Sequence, residues 1–370
     1  FGLTGFGELL EDGLRIGRNA IRSQPVSGDI VLVEIDEPSL RQIGAWPWPR
    51  AKQGKMISEA NRLGAKRVVM DILYANPSDR ENDRALTSAL ARAGNVTLAA
   101  QSRIGEDKGK QDAVMPMAQF ARHSSQASIG IYYNWQGAAW KIPYSDEVKG
   151  QVMPSLAASI AGATGPRGKE FPVDYSFNID SVPRISAADL LASKVSRQQL
   201  AGKTVVVGTT AFRLGDQYVI PGRGKRGGVY IHIIGAETLK AGAPQSLGWW
   251  PALLAAALVS GLALATSRRR YIGWAALATF VAPLALESQL LFVEVTPALF
   301  LLGTVSGRLA WLRSRAQGLV NPLTGLPNLA ALAADRDGSG LPLVAVRVHN
   351  YAEIASALDV AGERQLVEQI

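Results

Sequence analysis

Three carboxylates and one aromatic–basic cluster are the residues of this chain with the chemistry to hold a ligand. Asp36 follows the apolar run Asp29–Ile35, Asp71 closes the run Lys66–Met70, and Asp216 lies eight residues beyond Gly208, past the run Lys203–Val207. Trp46-Pro-Trp-Pro-Arg50 occupies the stretch after the first run. Two indole rings and a guanidinium there could line a cleft and hold an anionic or aromatic group. The candidate ligand-binding set is therefore Asp36, Trp46, Trp48, Arg50, Asp71 and Asp216. A second reading stays open: Asp at a strand end also caps helices and turns, and Trp-Pro runs also brace loops.

Bond-breaking chemistry finds less support. No nucleophile–base pair is visible, so no catalytic residue is assigned. The chain has no Cys, which excludes disulfides, thiol catalysis and Cys-ligated metals, and its three His are far apart, so no metal site is assigned. Arg223-Gly-Lys-Arg-Gly-Gly228 is basic and glycine-rich but lacks the Lys-Ser/Thr of a phosphate-binding loop, and is expected to be a solvated turn. Gly130–Trp140 reads as an aromatic-rich hairpin, and His232, near the start of an apolar helix, as a core residue.

The elements that must position these residues alternate in kind. Asp29–Asp36, Lys66–Asp71, Asn95–Ala100 and Lys203–Gly208 have strand character; Lys52–Leu63, Asp83–Ala93 and Ile231–Lys240 have helical periodicity and are followed by Gly64, Gly94 and, one residue later, Gly242. Alternation of this kind implies βαβ units and a mainly parallel sheet, with ligands beyond the carboxyl ends of its strands. The stretch Ser102–Pro154 shows no clear pattern.

Hydrophobic residues make up 47% of 370, and the net charge is +8. The surplus charge flanks apolar runs. Gly248–Thr266 is uncharged, has Trp249 and Trp250 at its start, and is followed by Arg268-Arg-Arg270; further apolar runs cover Tyr271–Leu286 and Val295–Leu312, the last followed by Arg313 and Arg315. Glu287 and Glu294 mark the turn between the second and third runs. Three transmembrane helices are expected at 248–266, 271–286 and 295–312, with the arginines on the cytoplasmic side and the acidic turn outside. Membrane lipid is then the partner of the basic charge, and nucleic acid is not.

The segments Ile35-Asp36, Gly44–Arg50, Gly64-Ala65 leading to Asp71-Ile72-Leu73, Asp83–Leu90, Lys203–Gly208, Asp216 and Gly228–His232 occur together and in order. In this the chain resembles extracellular CHASE domains of the second type, over nearly all of residues 5–242. The resemblance implies an extracytoplasmic sensor preceded by one transmembrane helix and followed by three. The chain opens at Phe1 without a signal peptide. The first membrane helix is accordingly expected to precede it, with Leu9–Arg22 as the helix emerging from that span.

Past Arg315, Asn321-Pro-Leu-Thr-Gly-Leu-Pro-Asn328 resembles the opening signature of GGDEF domains, which make cyclic di-GMP from two GTP; the matching positions are Asn321, Leu323, Thr324, Gly325, Leu326, Pro327 and Asn328. A helix at Leu329–Ala334, a strand at Leu341–Val348 and a helix at Tyr351–Leu358 are expected to follow. Here the chain departs from the family. Its usual opening Asp is Asn321, its Mg²⁺-binding Asp is replaced by Arg347 and a second Asp by His349, and its guanine-binding Asn falls near Ala355. A cation at Arg347 repels the metal on which phosphoryl transfer depends. The resemblance thus implies a degenerate GGDEF domain, with Mg²⁺ expected only for an intact output domain.

The expected organisation is a juxtamembrane helix (1–28), a sensor (29–246), a membrane bundle (247–312), a linker (313–320) and a truncated GGDEF-like domain (321–370). The fold class is an α/β sensor with a mainly parallel sheet, an α-helical bundle and the start of a second α/β domain. Residues 1–247 are expected outside a bacterial inner membrane and 313–370 in the cytoplasm. The expected function is a receptor, homodimeric by analogy, whose unknown external ligand controls cyclic di-GMP hydrolysis by an EAL domain beyond Ile370. The alternatives are an active diguanylate cyclase, a non-enzymatic receptor using the GGDEF remnant for GTP or protein binding, and a sensor for a kinase or adenylate cyclase.

Overall fold

Segments such as Ile-Val-Leu-Val-Glu-Ile and Thr-Val-Val-Val-Gly-Thr are apolar on both faces, so they are stable only inside a sheet covered on both sides. The computed structural model describes residues 7–101, 113–266, 270–320, 327–334 and 349–369. Six strands form one parallel sheet: β1 Ile30–Ile35, β2 Arg67–Leu73, β3 Val96–Ala100, β4 Ser125–Ser128, β5 Arg184–Ser186 and β6 Thr204–Thr209. Their order is β4-β3-β2-β6-β1-β5. The late strand β6 enters between β1 and β2, pairing Val205 with Val31 and Val68. This insertion makes the carboxyl edge of β1, β6 and β2 the point where the strand order reverses, the usual place for a ligand crevice.

Alternation along the strands builds two cores. Val31, Val33, Ile35, Val205 and Val207 pack with Met56, Ile57, Leu86 and Leu90. The latter four belong to α3 (Arg50–Arg62) and α4 (Arg80–Ala93), which follow α2 (Glu37–Ile43). Ile30, Leu32, Val69 and Val206 face the other way, against Phe171, Ile231, Ile233 and Ile234. The three isoleucines lie on α5 (Val229–Ala241). The indistinct stretch 102–154 supplies edge strand β4 and short antiparallel pairs such as Ser145–Val148 with Gln151–Pro154. Their brevity explains why no pattern stood out.

The chain divides into two compact units: the chain through Pro251 with Phe280–Thr296, and Ala252–Thr279 with the chain from Pro297. The three apolar runs become α6 (Trp250–Thr266), α7 (Arg270–Glu287) and α8 (Thr296–Gly318). Among the described residues no helix is long and apolar enough to cross a membrane. The 17 residues of α6 reach about 25 Å at 1.5 Å each. Charged Arg270 and Glu287 end α7, and Arg308 and Arg313 lie within α8. The expected three spans are thus not supported by helix length and apolarity. In the second unit, Ala256 and Ala263 pack with Ile272, Ala298 and Leu302.

The expected acidic turn is more ordered than its sequence suggested. Leu291–Val293 forms a parallel pair with Gln245–Gly248, which ties the turn into the first unit. Of the elements expected near the chain's end, helix Leu329–Ala334 is present, and the Asn328 side chain accepts a hydrogen bond from Ala331 N at 3.1 Å. The second expected helix is present as Tyr351–Ser356. Residues 321–326 and the expected strand at 341–348, including Arg347, lie outside the described residues.

Gly208 shows how tightly the layers meet. A Cβ there would lie 2.6 Å from Val229 Cγ2 and 2.7 Å from Val229 Cβ. Gly208→Ala is expected to lower stability by about 1–3 kcal/mol, read from chemical denaturation followed by circular dichroism; an unchanged midpoint would show that β6 and α5 can separate freely.

Candidate functional site

A cleft of about 950 Å³ opens beyond the carboxyl ends of the strands, lined among others by Trp46, Asp71, Tyr133, Thr209, Asp216, Tyr218, Gly228 and His232. Backbone irregularity aims the first carboxylate. Met70 pairs with Leu98 and Leu73 with Ala99, so Asp71 and Ile72 are extra residues in β2. A bulge of this kind re-aims side chains at a sheet edge. Asp216 arrives from the opposite side, on the loop after β6, where it accepts a hydrogen bond from Thr209 Oγ1 at 2.7 Å.

Hairpin Gln217–Ile220/Gly224–Gly227 follows directly and lays Tyr218 on Tyr133, with ring centroids 5.4 Å apart and planes 10° from parallel. Residues 223–226 of the basic glycine-rich segment are largely exposed, as expected of a solvated turn, but Gly227 and Gly228 are buried. A Cβ on Gly228 would meet the Tyr218 ring at 2.8 Å and Asp216 Oδ1 at 3.3 Å. Glycine is what lets the hairpin close on the start of α5. His232, one turn into α5, is buried, and its Nδ1 has no hydrogen-bond partner.

The electrostatics follow from enclosure. Burial, reinforced by the charge of Asp216, pushes the Asp71 carboxyl up to about 7. Burial pulls the His232 imidazole down to about 4, so it is neutral near pH 7. Burial also raises the Tyr133 and Tyr218 phenols, and the nearby Asp216 adds to both shifts.

Of the six residues singled out from sequence, Trp46, Trp48, Arg50, Asp71 and Asp216 meet at this cleft and Asp36 does not. Asp36 instead caps α2, its Oδ1 accepting from Ser39 N at 2.8 Å and from Ser186 Oγ at 3.0 Å. Trp48 and Arg50 brace the rim. The Trp48 indole is buried and donates to Gly44 O at 2.8 Å. Gln53 donates to Trp48 O at 2.7 Å and accepts from Tyr74 Oη at 2.6 Å. The Arg50 guanidinium is paired with Asp83 and lies over the Phe120 ring at 5.1 Å. Sequence reasoning missed Tyr133, Tyr218, Thr209 and the position of buried His232 in the cleft lining. The tyrosines carry no spacing signal because the fold, not the chain, makes them neighbours.

A second constellation was also missed. On α1 (Glu8–Ile21), Arg15 and Arg18, with Arg22 just past its end, are spaced three and four apart, so they share one face. Arg18 bonds Glu287 at 2.8 Å and Glu11 at 3.0 Å, and Arg22 forks onto Asp174 at 3.0 and 3.1 Å. Arg22 also lies 3.2 Å from Glu287 Oε2, in ion-pair range without hydrogen-bond alignment. Arg15 is held between the Trp140 and Phe292 rings, at 4.4 and 4.7 Å. Glu11 Oε2 accepts from Val295 N, Thr296 N and Thr296 Oγ1 at 2.7–2.9 Å, which places a carboxylate on the first residues of α8. One residue along, Asp12 accepts from Asn134, the neighbour of cleft residue Tyr133, at 3.0 Å.

Among the described residues no three His, Cys, Asp or Glu side chains cluster in a way that could hold a metal ion.

Two outcomes are expected. Because the folded Asp71 retains its proton up to about pH 7 while the unfolded carboxyl loses it near 4, Asp71 makes stability fall as pH rises between those values and level off above; Asp71→Asn removes that fall in denaturation midpoints measured from pH 4 to 8. Glu287→Ala removes a carboxylate shared by two buried guanidinium groups, leaving Arg18 with Glu11 and Arg22 with Asp174, and is expected to cost about 1.5–3 kcal/mol; a shift below about 1 kcal/mol in the same measurement would mean that the cluster is not holding the unit together.

With this geometry in place, comparison with known families finds that the CHASE2 domain model matches residues 9–267. No curated protein and no solved structure gives a significant match.

Proposed function

The chain belongs to the CHASE2 family of sensor domains, and on that premise we propose that it is the signal-receiving part of a bacterial membrane receptor, with the cleft between β2, β6 and α5 as its ligand site. The observation that carries this reading is the cleft itself. It sits at the reversal of strand order, and it gathers Asp71 and a buried His232 whose Nδ1 has no hydrogen-bond partner.

The route out of the cleft runs through α1. Tyr133 forms the cleft wall, Asn134 holds Asp12 of α1, and Glu11 of the same helix holds the first residues of α8. A ligand that displaces the 130–140 segment thereby acts on the start of α8, the helix that leads on toward Asn321. We place α6, α7 and α8 in a bilayer, and residues 1–247 outside the cytoplasm. What supports this is the apolar surface of α6 and α7: Leu254, Leu258, Trp274 and Leu277 are all more than half exposed. The arginine-rich flanks fit the same orientation. The output we propose is cyclic di-GMP turnover, by hydrolysis, on the strength of the signature at Asn321–Asn328 and its loss of the metal-binding Asp at Arg347.

Alkaline phosphatase fused after Gly150 is expected to be active and after Gly318 inactive; the reverse pattern, or an unanchored product, would remove the membrane placement. In membranes carrying the natural gene product, added cyclic di-GMP is expected to be converted to linear pGpG, at a rate that Glu287→Gln alters. Synthesis of cyclic di-GMP from GTP would replace hydrolysis with the cyclase reading, and turnover of neither would leave a non-enzymatic receptor.

A further inference from the structure

The chemistry of the cleft narrows its ligand. Two carboxylates, Asp71 and Asp216, converge there, and the Tyr133–Tyr218 stack supplies aromatic surface beside them. The cation on the rim, Arg50, is already matched by Asp83. An anion entering the cleft would meet two carboxylates without a free counter-charge among the described lining residues. His232 adds an independent pointer. It is 2% exposed, its Nδ1 has no partner, and it lines the same cleft. A buried ring nitrogen without a partner costs free energy until a hydrogen-bonding ligand arrives. A neutral imidazole can also accept an N–H hydrogen bond or donate its own, and it does not repel a cation.

Resting on the sensor reading above, we propose that the cleft binds a small organic cation, an alkylammonium compound, with Asp71 and Asp216 as counter-charges, the tyrosine stack as a cation–π surface and His232 as a hydrogen-bonding partner. Ammonium groups are recognised by aromatic faces. A bare divalent metal fits less well, since no three suitable ligands cluster among the described residues. The cleft volume of about 950 Å³ suits a ligand of several heavy atoms with accompanying water.

The site also carries a proton linkage. The charged and titratable groups that line the cleft with Asp71 are Asp216 from the loop after β6, Tyr218 from the hairpin, Tyr133 from the 130–140 segment, His232 from α5, Arg50 at the start of α3, and Tyr74 and Asp79 between β2 and α4; of these, Asp216 acts on the Asp71 carboxyl. A cation requires Asp71 ionised, and its carboxyl is raised to about 7. Affinity therefore rises with pH below that value, by up to about tenfold per unit, and flattens above it.

The test is isothermal titration calorimetry on the whole chain in detergent at pH 8, with 1,4-diaminobutane and choline as probes and 1,4-butanediol, succinate and calcium as controls. At least one organic cation is expected to bind while the diol and succinate do not. Asp216→Asn is expected to weaken it at least tenfold, Tyr133→Leu several-fold, and Asp71→Asn to abolish the pH dependence between 6 and 8. Should Asp216→Asn not fold by circular dichroism, Tyr133→Leu and Asp71→Asn carry the test. Binding of neither cation, or binding unaffected by these substitutions, overturns the proposal. Succinate or calcium binding that the same substitutions abolish also overturns it, yet leaves the cleft as the sensor's site; the sensor reading itself stands or falls on the fusion and turnover measurements.

Discussion

Three guanidinium groups on one side of a single helix cannot be buried without three anions and aromatic cover, and meeting that demand organises the first unit. Arg15, Arg18 and Arg22 draw in Glu11, Asp174 and Glu287. Burial lowers the Arg15 guanidinium from its ordinary value, while Glu287 and Asp174 act against that shift. Transferring such charges from water costs several kcal/mol each, so their partners have little freedom to leave. The residues recruited are remote in sequence: Asp174 lies 152 positions from Arg22, and Glu287 lies 269 from Arg18. Helix α1, the 170s segment and the turn before α8 are therefore fastened to one another by charge, whereas the sheet is held by apolar packing.

That division of labour bears on signalling. The β-sheet core, from Val31 to Val207, is closely packed and resists small displacement. The ionic cluster is directional, and its members have alternative partners within reach, as Arg22 has in Asp174 and Glu287. A sensor needs one rigid part to hold its cleft and one part with more than one satisfiable arrangement. The cleft borrows its backbone geometry from the first and touches the second through Asn134 and Asp12.

Much of the scaffold was legible because it rests on local rules. Short continuous apolar runs and helices closed by glycine gave strands and helices within a few residues of those found, from Ile30–Ile35 to Val229–Ala241. The cleft was half legible. Asp71 and Asp216 could be placed at strand ends, but the same rule drew in Asp36, which serves as a helix cap. Position along a strand cannot separate a cap from a cleft residue, because both sit where the backbone turns. The Trp48 ring and the Arg50 guanidinium looked ligand-facing on type alone, and only their contacts with Gly44 and Asp83 show them as braces.

The sequence by itself determined the alternation of strands and helices, the absence of thiol chemistry and the gathering of positive charge beside apolar runs, since each follows from residue type and near-neighbour spacing. Only the tertiary structure decided that β6 enters between β1 and β2, that a bulge turns Asp71 toward Asp216, and that Tyr133 stacks on Tyr218. It also decided that Glu287, which composition would make an exposed turn residue, is fully buried against arginines near the start of the chain. The physical reason is common to all four. Each depends on which of several energetically similar long-range pairings buries the most apolar surface while leaving no charge alone, and that choice is made by the whole chain at once.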